Sequence, residues 1–386
     1  MKEVRSIKEA ELQGKRAILR ADFDVVMRDG RILDDFRIRQ VLPTLRFLLQ
    51  KGAHVRIVSY VGRPNGVRNP KFGMARISRY VERLSQKKII FIPDILDREG
   101  FDRYNNTSQI IFFENIRFWP EEEKNDKRFA LKVSKWGDIF INEAFANAHR
   151  NHACVSTLAR LLPSYAGFQL ESEVRNLSAL ARSPKRPFVA LLGGAKLETK
   201  LPLITRFIRD ADHVLLGGAL ANTLFLMQGK EIGKSTVGKE GEVVLKRIFT
   251  SKKICLPGDL VVASRLHAAH RYRIARPNEI KQNEYIADIG PRTINQFSSI
   301  IQSARTVVWN GPLGFAEVSR FAEGTRALAK TISSLHAFKV VGGGDTLAVL
   351  KKYKLLANFS HVSTGGGAML EYLAGKKLPG IEALKR

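Results

Sequence analysis

Two lysines follow a glycine pair in the stretch GGAKLETK, residues 193–200. Their spacing of four predicts that Lys196 and Lys200 share a helix face, where the two ammonium groups repel unless water or an anion lies between them. A bound phosphate and a solvated face both satisfy that requirement. In VVGGGDTLAVL, residues 340–350, Asp345 and Thr346 fall where a glycine loop turns into a helix. A carboxylate there can hold Mg²⁺ on a phosphate chain. Both residue types also serve as helix N-caps, and local sequence leaves the two readings open. Glycine clusters recur after apolar runs at 193–194, 217–218, 342–344 and 365–367. Glycine lets backbone amides approach a ligand, and a following helix N-terminus favours anions.

Arginines recur near the ends of expected strands in the first half: Arg37, Arg63 in VGRPNG, Arg117 in ENIRFWP and Arg150 in AHRNH. The planar guanidinium suits bidentate bonding to phosphate or carboxylate. Each alone reads as a surface arginine, and several on one cleft would make an anion pocket. The pairs His149/His152 and His267/His270 could each share a helical face, but no cysteine or carboxylate spacing completes a zinc pattern. The stretch GKEIGKST, residues 229–236, falls one residue short of a Walker A spacing and lacks a strand feeding into it. No nucleophile elbow is present.

Strand-like runs expected to position these groups are Arg16–Val26, Ala53–Val61, Lys88–Ile92, Gln109–Phe113 and Asp138–Asn142. A helix is expected over Phe36–Gln50, bent at Pro43. LESEVRNLSALAR, residues 170–182, has helical spacing and stops before Ser-Pro. A second series follows with strands at Phe188–Leu192, Val214–Leu216, Thr306–Trp309 and Lys339–Val341. Alternation of strand and helix predicts an α/β protein of two doubly wound halves with parallel sheets.

At 386 residues the chain exceeds one comfortable core. It offers no apolar run near the roughly 20 residues of a membrane helix, and its start shows no signal-peptide pattern. The only cysteines, Cys154 and Cys255, fit a reducing cytoplasm better than a disulfide framework. A formal charge of +27 keeps polyanion binding open. The basic residues are dispersed, however, so nucleic-acid binding is not expected and capture of small phosphorylated anions is favoured.

In order along nearly the whole chain, RADFDV, DDFRIRQVLPTL, GRPNG, FFENIRF, EEEKND, NEAFANAHR, SPKRPFVALLGGAK, VVWNGPLG, FAEGT, VGGGDT, STGGGA and LPGIEAL resemble the phosphoglycerate kinase family. The resemblance implies two Rossmann-like domains joined by an interdomain helix and a hinge. Residues 1–168 would form an acid-substrate domain, 169–183 the helix, 184–370 a nucleotide domain and 371–386 a returning tail. It implies a monomeric cytoplasmic enzyme that moves a phosphoryl group between 1,3-bisphosphoglycerate and ADP, giving 3-phosphoglycerate and ATP, with Mg²⁺. Asp22, Arg37, Arg63, Arg117, His149 and Arg150 would bind the acid substrate. Gly194, Lys196, Lys200, Gly217, Asn310, Pro312, Glu317, Gly343, Gly344, Asp345 and Thr346 would bind the nucleotide, with Asp345 on the metal. Arg37, Lys196 and Lys200 would be catalytic, and hinge closure would complete the site and exclude water.

The chain departs from the family pattern at Asp24 (usually Asn) and Tyr60 (usually His), both in the acid-substrate segments. An ionised Asp24 facing the substrate would repel it, and Tyr60 can donate one hydrogen bond but cannot carry histidine's positive charge. Lesser departures are Val26, Trp119, Glu143, Ala146 and Thr199. Loss of one charged hydrogen bond costs roughly 1.5–3 kcal/mol, so weakened binding is expected rather than lost activity. A diverged nucleotide-binding protein with an altered or lost acid site stands as the alternative.

Overall fold

The computed structural model describes residues 4–104, 109–238, 248, 250–267 and 270–385. The chain forms two compact units, Met1–Arg175 with Lys377–Arg386, and Asn176–Lys376. The division falls inside helix Phe168–Arg182. In the first unit, Gln169 and Leu170 donate their backbone N–H groups to the Glu143 carboxylate. In the second, the Ser178 hydroxyl bonds the Tyr372 hydroxyl at 2.6 Å. The C-terminal segment belongs to the first unit, where Gly380 N–H donates to Ala148 O at 2.9 Å and Arg5 N–H to Leu384 O at 3.2 Å.

The first unit holds a six-stranded parallel sheet. Its order is Ile90–Ile92, Ile110–Phe113, His54–Val58, Arg16–Arg20, Ile139–Asn142, Ser164–Ala166. The apolar faces of these strands and helices Phe36–Gln50 and Ala75–Ser85 share one core that includes Leu19, Ile57, Phe112, Leu45 and Ile77. Near-continuous apolar strands are what a sheet covered on both faces requires. Helix Phe36–Gln50 runs through Pro43 rather than ending there. Pro43 is exposed, so water can serve the carbonyl that lacks its usual donor.

Strands are shorter than the sequence predicted. The first stops at Arg20 instead of reaching Val26, and the second covers His54–Val58 instead of 53–61. Polar side chains take over from the ladder at both ends. The Asp22 carboxylate accepts Asp24 N–H at 3.2 Å, and the Ser59 hydroxyl bonds Ala21 O and Phe23 N–H. Such side-chain bonds favour turns over strand.

The second unit has its own six-stranded parallel sheet, ordered Ile254–Cys255, His213–Leu216, Phe188–Leu192, Thr306–Asn310, Phe338–Gly342, His361–Ser363. The strand order reverses between Phe188–Leu192 and Thr306–Asn310, which run parallel, and this is the switch point at which a ligand crevice forms outside the strand ends. A three-stranded antiparallel sheet, Tyr272–Ala275, Leu260–Ala263 and Tyr285–Ile289, completes this unit. Residues 229–236 form turns beside that sheet, with Lys234 N–H bonded to Glu284 O at 2.8 Å. No helix is long and apolar enough to cross a membrane among the described residues.

Candidate functional site

In the second unit, the carboxyl ends of three strands meet at the switch point. Gly193 N–H donates to Asn310 O at 3.0 Å, Gly194 N–H to Pro312 O at 2.8 Å, and Gly218 N–H to Leu313 O at 2.9 Å. Gly311 has φ +94°, and a Cβ there would stand 2.2 Å from Gly193 O. Only glycine fits so close a crossing. Lys200 is 6% exposed, and its ammonium donates to Gly193 O between these loops. Burial lowers its pKa to about 8, with Asp345 opposing the shift and Lys196 adding to it.

The lysines do not share a helix face, contrary to the expectation from their spacing. Residues 193–200 form turns, helix Leu201–Asp210 begins after Lys200, and Lys196 is exposed. Pro202 sets that boundary, because proline suits the first helical turn, where its missing N–H costs nothing. Lys200 is thereby the inward cation and Lys196 the outward one.

Helix Gly344–Lys352 starts at the end of strand Phe338–Gly342, with Gly343 at φ +96° as its cap residue. Neither Asp345 nor Thr346 is that cap. Thr346 is fully buried and its hydroxyl accepts Gly311 N–H at 2.8 Å, tying the helix start to the neighbouring loop. Asp345 is exposed in the first turn and acts electrostatically on Lys200. Asn310 is buried, and a Cβ on Gly343 would lie 3.1 Å from its amide nitrogen. Gly217 lies against Leu313, and Gly344 faces open space. Glu317 is exposed on the loop after Asn310. An exposed carboxylate at a helix start fits Mg²⁺, which takes one or two protein carboxylates and completes its shell with phosphates and water.

In the first unit, the segments after the strands place Asp22, Tyr60 and Arg117 beside Arg37 of helix Phe36–Gln50. Arg37 Nη1 donates to Asp22 Oδ2, and the Tyr60 hydroxyl donates to Asp22 Oδ1 at 3.0 Å. Asp22 raises the Arg37 pKa further above its already high value. Arg117 is 3% exposed, and its Nη1 donates to Gly62 O at 2.7 Å. Burial lowers its pKa, as does the positive charge of Arg20 and Arg150. His149 and Arg150 lie on the turn after Asn147, close enough to act electrostatically on His152. Arg63 is exposed beside Gly62.

Sequence reasoning missed Arg20 and Glu122 and weighed His152 only as half of a zinc pair, and all three are buried beside this cluster. Arg20 Nη2 lies 3.7 Å from Glu122, and His152 lies 4.0 Å from the same carboxylate. Burial lowers the His152 pKa to about 3, helped by Arg20, Arg117, Arg150 and His149, so the imidazole is neutral. The available signal was an arginine inside an otherwise apolar strand. Neither histidine pair lies on one described helix. Among the described residues no group of three or more His, Cys, Asp or Glu side chains could hold a metal.

The two departures expected to weaken the acid site are both built into its framework. Asp24 Oδ1 accepts Gly62 N–H at 2.8 Å, and Tyr60 is 2% exposed.

A buried lysine beside glycine-walled strand ends, in a doubly wound chain that also gathers arginines, has the working parts of a phosphotransferase. The family model described as phosphoglycerate kinase matches residues 7–376. The phosphoglycerate kinase of Coprothermobacter proteolyticus is 41% identical, over 99% of this chain and 98% of that protein. That of Rubrobacter xylanophilus is 40% identical, over 98% of each. The solved structure of phosphoglycerate kinase from Coxiella burnetii superposes with a TM-score of 0.87 at 35% identity, covering 99% of this chain and 98% of that one. The Pyrococcus horikoshii enzyme gives 0.86 at 31%, covering 98% of each. The chain belongs to the phosphoglycerate kinase family.

Proposed function

We propose that this chain transfers a phosphoryl group reversibly between 1,3-bisphosphoglycerate and ADP, with the acid substrate on the first unit and the nucleotide on the second. The observation that carries this reading is the buried Lys200 at the glycine-walled switch point of the second unit, in a chain whose first unit holds its own arginine cluster. A diverged chain that had lost its acid site is not favoured, because Asp24 and Tyr60 are absorbed into bonds that hold the arginines.

Arg37, Arg63, Arg117, His149 and Arg150 would bind the phosphate and carboxylate of the acid, with Asp22 orienting Arg37. Gly194, Gly217, Asn310, Pro312, Gly343, Gly344 and Thr346 would shape the nucleotide site, and Glu317 would meet the ribose. Asp345 would hold Mg²⁺, which neutralises phosphate charge when bound. Phosphoryl transfer requires alignment and stabilisation of charge on the transferring oxygens rather than a covalent enzyme intermediate. Lys200 and Arg37 supply that charge, and Lys196 adds a second cation on the nucleotide side. The protein is proposed to act as a cytoplasmic monomer on small anions, its basic surface aiding their capture.

A coupled assay of the Arg37→Ala and Lys200→Ala variants tests these placements. Each is expected to lower kcat by about 10²-fold or more, the scale of losing one charge-stabilising group. Near-native turnover in either variant would remove that residue from the reaction.

A further inference from the structure

Tyr60 lies two residues after strand His54–Val58, with two guanidinium groups against its ring. The guanidinium carbon of Arg117 stands 4.0 Å from the ring centroid, and that of Arg20 stands 4.9 Å away. Two guanidinium groups repel, and an aromatic ring offers its negative face to a cation. The Tyr60 hydroxyl reaches Asp22 Oδ1 at 3.0 Å, while the other oxygen of Asp22 takes Arg37. Asp22 Oδ1 also accepts Asp24 N–H at 3.2 Å. Asp24 in turn holds Gly62 N–H at 2.8 Å, and Gly62 O receives Arg117 Nη1 at 2.7 Å. Arg37 and Arg117 are therefore joined by a connected network in which Tyr60 touches both branches. Arg117 Nε makes no hydrogen bond and lies 3.6 Å from Glu123, so the ring contact acts on that side chain beside its bond to Gly62 O.

We propose that Tyr60 is the positioning residue of the acid-substrate site, setting Arg37 through Asp22 and Arg117 through its ring, and that this neutral clamp makes capture of a phosphorylated carboxylate insensitive to ionisation at position 60. The inference rests on the reading that these arginines bind the acid substrate. The charged groups facing Tyr60 are Asp22, Asp24, Arg37, Arg20 and Arg117. Burial pushes the phenol well above its ordinary range, Asp22 and Asp24 push it further, and Arg37 and Arg20 oppose them. No proton leaves the hydroxyl at working pH, so its bond to Asp22 persists throughout.

The test is steady-state kinetics of the full chain and of the Tyr60→Phe and Tyr60→His variants, with 3-phosphoglycerate and Mg·ATP between pH 6 and 8. Tyr60→Phe keeps the ring and removes one hydrogen bond to a carboxylate. It is expected to raise KM for 3-phosphoglycerate about ten-fold and to lower kcat by no more than that, because Arg37 is loosened but kept, while KM for Mg·ATP stays within about two-fold. Tyr60→His is expected to make the 3-phosphoglycerate KM pH-dependent, lower at pH 6 than at pH 8, where the native KM shows no such added step. An unchanged 3-phosphoglycerate KM in Tyr60→Phe overturns the inference, as does an equal rise in the KM for Mg·ATP. Should Tyr60→Phe fail to fold, the Tyr60→His profile decides, and a profile parallel to the native one overturns the clamp. A native chain that binds Mg·ATP but does not turn over 3-phosphoglycerate overturns the functional reading itself, and the inference with it.

Discussion

Lys200 is a cation held where solvation is poor, against a carbonyl it cannot neutralise. A phosphate arriving there, as proposed, would supply the countercharge that the fold leaves partly unmet. Burial has already lowered the lysine pKa to about 8, so the free enzyme loses this charge as pH rises through that value. kcat/KM reports the free enzyme, and for Mg·ATP it is expected to fall above about pH 8. A pH–rate profile without that limb would show that Lys200 is not the group captured by phosphate. The sequence singled out Lys200 and Asp345, because glycine loops before helices favour anions, while their local spacing left a solvated face and a helix cap open. It left Tyr60 and Asp24 illegible in the opposite sense. Their chemical types alone implied a weakened site, but a side chain's type does not say which way it faces. Both turn into bonds with Asp22 and Gly62.

At the scale of elements, the nucleotide edge depends on loops that interlock at glycine. Gly311 combines φ +94° with a Cβ position 2.2 Å from Gly193 O and 2.8 Å from the Lys200 ammonium. Gly311→Ala is expected to destabilise the second unit by at least about 1–3 kcal/mol through backbone strain alone. It should also abolish Mg·ATP binding by displacing Lys200. Thermal unfolding and titration calorimetry would show both effects, and a variant with native affinity would contradict the interlock. Parallel strands and their apolar runs were legible here, since periodicity and length suffice for buried strands. The shared helix face of Lys196 and Lys200 was not. Spacing of four describes a face only where the backbone is helical, and Pro202 delays the helix to Leu201.

Across the molecule, buried ionisable groups make stability depend on pH in opposing ways. His152 is neutral in the fold, with a pKa near 3 because of burial and the surrounding arginines. Below its ordinary value of about 6.5, the unfolded chain binds a proton that the folded chain does not. Stability is therefore lost as pH falls from about 6.5 towards 3, by up to about 1.4 kcal/mol per pH unit. Glu143 has the reverse effect. Burial raises its pKa to about 7, against the bonds it accepts from Thr44, Gln169 and Leu170. The folded chain keeps that proton while the unfolded chain sheds it, so stability falls as pH rises from about 4.5 to 7. Relative to the native chain, His152→Gln should gain in unfolding midpoint as pH falls from 7 to 5. Glu143→Gln should gain as pH rises over the same window. Parallel midpoint curves for native and variants would show that these sites do not titrate as described. The two-unit architecture was legible from the repeated βα pattern. The buried polar cluster of Arg20, Glu122 and His152 was not, because Arg20 lies more than a hundred residues from the other two and only the fold collects them.

The most direct measurement is a coupled assay of the native chain with 3-phosphoglycerate and Mg·ATP, following ADP formation. The expected result is saturable turnover in both substrates at an ordinary enzymatic rate, despite Asp24 and Tyr60. Binding of Mg·ATP with no transfer to 3-phosphoglycerate would contradict it and mark the arginine site of the first unit as built for some other anion.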